Sequence, residues 1–126
     1  MILLSFALPI VAKEDIDPSK PGYLVLKPIV TNFAPYKPNH LSYVKVDVAI
    51  SIGSQSDLES AQHYVPEIRD AIIFLLNQQS KVDLDGMTER QILANKGLEL
   101  VQGIYLEETG EKLATDFMWG FFAIQN

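Results

Sequence analysis

Leu41-Ser42-Tyr43-Val44-Lys45-Val46-Asp47-Val48-Ala49-Ile50-Ser51-Ile52 alternates strictly from Tyr43 onward: Val44, Val46, Val48, Ile50 and Ile52 interleave with Tyr43, Lys45, Asp47, Ala49 and Ser51. Successive side chains of a strand point to opposite faces, so this stretch predicts a strand with one dry and one wet face. A wet face in turn predicts an antiparallel sheet covered on one side only. Upstream, Tyr23 to Phe33 (YLVLKPIVTNF) is rich in Val, Ile, Leu and aromatic residues and predicts a second strand. Pro28 has no amide hydrogen to give a neighbour, which confines that strand to an edge or a bulge. Pro35, Pro38 and Asn39 mark the loop between the two, and together they predict a hairpin.

Downstream the period changes. Ser56 and Glu59 fit a capping box, in which a hydroxyl and a carboxylate satisfy free amides at a helix start. Pro66 falls inside the helical region and predicts a break or bend. Ile68, Ile72, Leu75 and Leu76 then recur at helical spacing and predict a buried stripe, each side chain worth about 1.5 to 3 kcal/mol when buried. Gln78, Gln79 and Ser80 end this helix, and Asp83 to Gly86 predict a turn. Thr88 and Gln91 form a second box, opening a helix in which Leu93, Gly97, Leu100 and Ile104 share a face. Gly97 costs roughly 1 kcal/mol relative to Ala in a helix interior, so its presence predicts close packing against a neighbour. Glu107 to Lys112, with Gly110, predict the turn that follows. Phe117 to Gln125 holds the only Trp and three of the six Phe, and its apolar residues on both faces predict a central strand beneath helices. The order strand, strand, helix, helix, strand gives an α+β fold, a single layer of antiparallel sheet with two or three helices packed on one face.

At 126 residues, 48% of them hydrophobic, the chain has the size and composition of one folded domain that needs no metal or disulfide staple. A net charge of -6, with its ten Lys and Arg scattered singly, offers no basic stripe for phosphates and excludes nucleic acid as a partner. The absence of Cys removes disulfides, thiolate catalysis and Cys-based zinc sites together. Met1 to Ala12 carries no charge and is almost wholly apolar, then Lys13, Glu14 and Asp15 follow abruptly. Such a run is shorter than the roughly 20 residues a membrane span needs. It matches the apolar core of a signal peptide, with an N-terminal strand or the stub of a membrane anchor as alternatives. Residues 13–22 (KEDIDPSKPG) read as a linker, which places the domain at residues 23–126.

Chemistry is hard to find. His40 falls in the Pro-rich loop and His63 on a polar helix face; Glu59 precedes His63 by one helical turn, but two ligands without a third do not make a metal site. No Gly-x-Ser-x-Gly elbow and no phosphate-cradling loop occurs. Glu67 and Asp70 flank Arg69, and Glu107, Glu108 and Glu111 cluster in the loop expected after the second helix; all fall at wet positions, where a solvated face outweighs general acid-base work. Phe117, Trp119, Phe121 and Phe122 have the ring content of a stacking platform, but no basic residue lies between them and core packing is the stronger reading. No catalytic, cofactor-binding or metal residue is assigned, and no small-molecule substrate is implied.

Three segments, in order and at matching spacing, resemble the FliL family of flagellar basal-body-associated proteins. They are the hairpin YLVLKPIVTN (residues 23–32) with YVKVDVA (residues 43–49), the helix YVPEIRDAIIFLL (residues 64–76), and the acidic turn LEETG (residues 106–110) followed by FMWGFFAIQ (residues 117–125). The usual FliL protein has a full transmembrane helix ahead of its domain, where this chain has Met1 to Ala12; it is more similar to short forms with a signal-peptide-like start. Near the middle of the last strand, where the family commonly has a polar residue, stands Gly120. The resemblance implies a stomatin-like (SPFH-like) domain in the periplasm at the flagellar basal body, peripheral to the membrane or held by an N-terminal anchor. It implies a non-enzymatic, homo-oligomeric protein that contacts the stator or basal body and supports motility. The alternative is an exported interaction module of the same fold unconnected with the flagellum.

Overall fold

The computed structural model describes residues 19–126; the expected leader at 1–12 and the linker as far as residue 18 lie outside the described residues. The alternating stretch forms strand β2 (Tyr43–Ile52), flanked by β1 (Gly22–Thr31) and β3 (Ala114–Gln125) in an antiparallel sheet of order β1-β2-β3. The five apolar residues of its dry face are all at most 1% exposed. They lie under a helical layer made of α1 (Leu58–His63), α2 (Val65–Asn77), the short α3 (Lys81–Leu84) and α4 (Met87–Thr109). The fold is therefore α+β with helices on one face of a three-stranded sheet.

Pro28 acts as its chemistry requires. β1 is an edge strand, and its register against β2 slips between Leu26 and Ile29, around Lys27 and Pro28. The guanidinium of Arg69 on α2 donates to the Lys27 carbonyl at 2.6 Å and to the Pro28 carbonyl at 3.4 Å, so the bulge is tied to the helix that packs over it. Asn77, at the other end of α2, donates to the Asn32 carbonyl and to Thr31 Oγ1 at 2.7 and 2.8 Å. The two sets of contacts peg β1 to α2 at the bulge and at the C-terminal end of the strand.

Pro66 bends the chain by restarting it. The helix halts at Tyr64 and α2 begins with Pro66 in its first turn, where a missing amide hydrogen costs nothing. Ile68, Ile72, Leu75 and Leu76 are buried as their spacing predicts.

Several local expectations give way. Ser54, not Ser56, caps the first helical turn: its hydroxyl accepts from the Ser56 amide at 3.2 Å and it precedes a 3-10 turn, Gln55–Asp57. The expected turn at Asp83 to Gly86 is partly helical, because Ser80 and Asp83 form the capping box that starts α3. No Thr88 cap exists, since α4 begins one residue earlier behind Gly86, whose φ of 123° suits Gly and where a Cβ would collide with Glu89 Oε1. Glu107 and Glu108 belong to the last turns of α4 and not to a loop.

The buried face of α4 is Leu93, Ala94, Gly97, Val101 and Tyr105, a stripe that departs from the expected Leu100 and Ile104 after Gly97. Leu100 is 39% exposed. Steps of four from Gly97 reach Val101 and Tyr105, while Ile104 is half-buried against the core. Gly97 itself meets β3 closely: a Cβ there would lie 2.8 to 2.9 Å from three carbons of the Phe117 ring.

The largest correction concerns β3. Its apolar residues on both faces predicted a central strand, but it pairs with β2 alone and forms the second edge. Ala114, Phe117, Trp119, Phe122 and Ile124 stand opposite the dry residues of β2, while Met118 and Ala123 stand opposite Ala49 and Lys45 on the uncovered face. A register slip between Val46 and Val48 sets Gly120 and Phe121 across from Asp47. Phe121 is 56% exposed, so its ring is surface and not core.

Ile72 has no solvent exposure, and Ile72→Ala should cost about 2 to 5 kcal/mol in urea unfolding. Asp70→Ala, on the wet side of the same helix, should stay within about 0.5 kcal/mol.

Candidate functional site

The two imidazoles are far from making a reactive centre. His40 is exposed in the β1–β2 loop; His63 ends α1 with its ring edge-on to Tyr64 at 4.9 Å. Among the described residues no group of three or more His, Asp or Glu could hold a metal ion.

The acids meet in part. Glu67 at the start of α2 and Glu107 and Glu108 near the end of α4 come together, and the Glu67 carboxyl is held above the usual carboxylate range. Partial loss of water is the larger cause, followed by the charges of Glu108 and Glu107. All three are exposed and lie in no enclosed cavity, so they have none of the dry surroundings that acid-base chemistry at neutral pH requires. Arg69, between Glu67 and Asp70, is committed to the β1 bulge.

The aromatic residues of β3 divide by face. Phe117 is buried; Trp119 stands edge-on to it at 4.9 Å and to Phe122 at 5.3 Å. The Trp119 indole donates to the Arg90 carbonyl at 3.0 Å, and the Arg90 guanidinium lies 4.2 Å from the centre of the Phe122 ring. Arg90 Nε also donates to the Leu84 carbonyl at 2.9 Å, so one side chain joins α3, α4 and β3. The rings form a wedge under the start of α4 rather than a stacking platform. A groove of about 420 Å³ follows the free edge of β3, between Asp116 to Gly120 and the first turns of α4 at Met87, Arg90, Gln91 and Ala94.

Two groups that sequence reasoning passed over prove structural. Tyr105 has no exposed surface, and its hydroxyl donates to the Ala61 carbonyl at 2.9 Å, which fastens α4 to α1. Burial pushes its phenol from 10.0 up to about 12. The signal available was the step of four from Gly97 to Val101 to Tyr105, hidden by the competing apolar set at Leu100 and Ile104. Arg90 carried no signal, since its partners are carbonyls and a ring distant in sequence.

Exposed apolar residues occur on the helices, as at Phe74, Val82 and Met87, and on the sheet. Tyr23, Val25 and Val30 on β1 and Met118 and Phe121 on β3 are between 38% and 75% exposed. Most stand on the face opposite the helices, since Tyr23, Val25, Val30 and Met118 register with Ser51, Ala49, Lys45 and Ala49 of β2.

The family model for the flagellar basal body-associated protein FliL matches residues 23–118, which takes in β2, nearly all of β1, the whole helical layer and the start of β3. The chain belongs to the FliL family. No curated protein matches it individually. The FliL match ends inside β3, so Trp119 to Asn126, including the exposed Phe121, continue beyond the matched region. A FliL chain is a flagellar basal-body-associated protein, and among the described residues of this one no helix is long and apolar enough to cross a membrane.

The shifted phenol gives a pH test of the Tyr105 contact. Its contribution to stability is full below pH 10, the ordinary value, and is lost as pH rises through the folded value of about 12. Tyr105→Phe should lower stability at pH 7 by about 0.5 to 1.5 kcal/mol, because the Ala61 carbonyl loses the phenol donor and keeps the Tyr64 amide, and should remove that part of the alkaline loss. Thermal melts of both forms from pH 7 to the alkaline limit measure the two effects.

Proposed function

We propose that this FliL-family chain is a non-enzymatic accessory protein of the flagellar basal body that works in the periplasm by adhering to stator components and to copies of itself. In this reading residues 1–12 serve as an export signal or an anchor, residues 13–22 as a tether, and residues 23–126 as a stomatin-like working domain. The observation that carries it is a family match over the whole layered core combined with a sheet that leaves one face uncovered. A three-stranded sheet with helices on one side keeps its apolar Tyr23, Val25, Val30 and Met118 in water unless a partner covers them. The acidic balance of the chain, net -6, suits a protein partner and disfavours anionic lipid.

Deletion of the gene should reduce swimming, most strongly in viscous medium, and the domain should co-purify with stator components. Unchanged motility at every viscosity, together with no stator protein recovered, would contradict the reading.

A further inference from the structure

Charge is unevenly placed along this acidic chain. Between Asp17 and Asp47 no Asp or Glu occurs, although the chain holds 16, and Lys20, Lys27, Lys37 and Lys45 fall in that interval. Within it lies the long loop from β1 to β2, which is fastened on both sides. The Ala34 amide donates to the Gln79 carbonyl at 2.7 Å, and Ser42 Oγ donates to Asn126 Oδ1 at 3.3 Å. Between the loop and the adjoining strand ends runs a groove of about 720 Å³ whose lining includes Val30, Tyr36, Lys37, His40, Leu41 and Tyr43 and, among the described residues, no carboxylate side chain. Lys45, in register with Val30, adds a second cation at its margin. Asp83, Asp85 and Glu89 belong to the α3–α4 corner, where Asp83 and Glu89 line another groove with Lys96. Tyr36 and Leu41 are 68% and 74% exposed, so the loop groove is apolar as well as cationic.

The opposite end of the molecule carries the complement. Gly22, Ile52 and Ala114 align at one end of the sheet, and Thr31, Val44 and Ile124 at the other, from which the loop springs. Gln102 donates to the Ala114 carbonyl at 3.0 Å, so the last turns of α4 lie at the end away from the loop. There Leu106 is 47% exposed beside Glu107 and Glu108, with Glu111 just beyond and Glu67 of α2 close by. Lys20, before β1, and Lys112, after α4, are outnumbered by these four carboxylates. The last turn of α4 holds no basic residue, yet a helix C-terminus is the negative end of its dipole, where cations are favoured and acids repelled. Gly103, Leu106 and Glu107 share one face of the helix by steps of three and four, and the space above Gly103 is open to close approach. We propose that the end of α4 in one copy of this chain docks in the β1–β2 loop groove of a second copy, Leu106 seated among Val30, Tyr36 and Leu41 and Glu107 against Lys37. Opposite charges set the register of the contact, and the buried apolar side chains hold it. Groove and helix end lie at opposite ends of the strands, so the contact is head to tail and leaves a free half-site at each end for a further copy.

The contact rests on the self-association part of the proposed function, and the experiment separates the two. Sedimentation of the purified full chain at low salt should show a mass that grows with concentration beyond that of a dimer. Leu41→Asp in the groove and Leu106→Asp on the helix should each weaken association at least about tenfold with unchanged thermal melting, while Met87→Asp should leave it intact. Mixed together, the two weakened variants should form a one-to-one dimer and stop, because each keeps the half-site that the other has lost. In the unsubstituted protein, raising salt from about 0.05 to 0.5 M should weaken association at least about tenfold. A monomer at all concentrations overturns both the contact and self-association. Association that survives both substitutions, variants that do not recombine when mixed, or an unsubstituted assembly that stops at two overturns the contact and leaves self-association standing. Association indifferent to salt overturns the contact even if the variants misfold.

Discussion

A missing methyl group positions the longest helix. Gly97 in the middle of α4 allows the Phe117 ring to approach to where a Cβ would be crowded at under 3 Å, and Phe117 is the only fully buried aromatic of β3. Close approach of helix and strand at this point has two consequences. The first turns of α4 come down over Trp119 and Phe122, where Arg90 can reach both the Trp119 side and the Phe122 ring. The far half of α4 is aimed at α1, where Tyr105 finds the Ala61 carbonyl. A residue that lowers helix propensity by roughly 1 kcal/mol thus fixes the position of the helix that holds the third strand.

Helices cover one face of the sheet, and the strand held by Gly97 has an open edge. Both margins carry register slips, β1 around Lys27 and Pro28 and β3 against Val46–Val48 and Ser51–Ile52 of β2. Membership of the FliL family places the chain among flagellar basal-body-associated proteins.

Much of the fold is legible in the residues. The alternation in β2 is decisive because every one of its dry positions is apolar and β-branched, and Pro28 announces an edge with a slip. Ile68 to Leu76 face the sheet because helical spacing leaves them no other common side. β3 misleads for a physical reason: residues apolar on both faces suit either a strand inside the sheet or an edge that meets a partner, and local pattern cannot tell these apart. The α4 stripe misleads similarly, since Leu100 and Val101 are equally apolar neighbours and the tertiary contact at Gly97 decides between them. The caps are less legible: Ser54 stands two residues before the expected Ser56, and Gly86 replaces the expected Thr88 altogether, because each terminus follows the packing of its helix.

The central claim is that the Gly97 notch, and not helix propensity, governs how the layers join. Gly97→Ala tests it directly, since propensity and packing pull in opposite directions. Propensity alone would raise stability by roughly 1 kcal/mol. Crowding against the buried Phe117 ring should cost about 1 to 3 kcal/mol and outweigh it. Equilibrium urea unfolding should therefore show Gly97→Ala less stable than the natural sequence. A variant more stable by about the propensity difference would contradict the account.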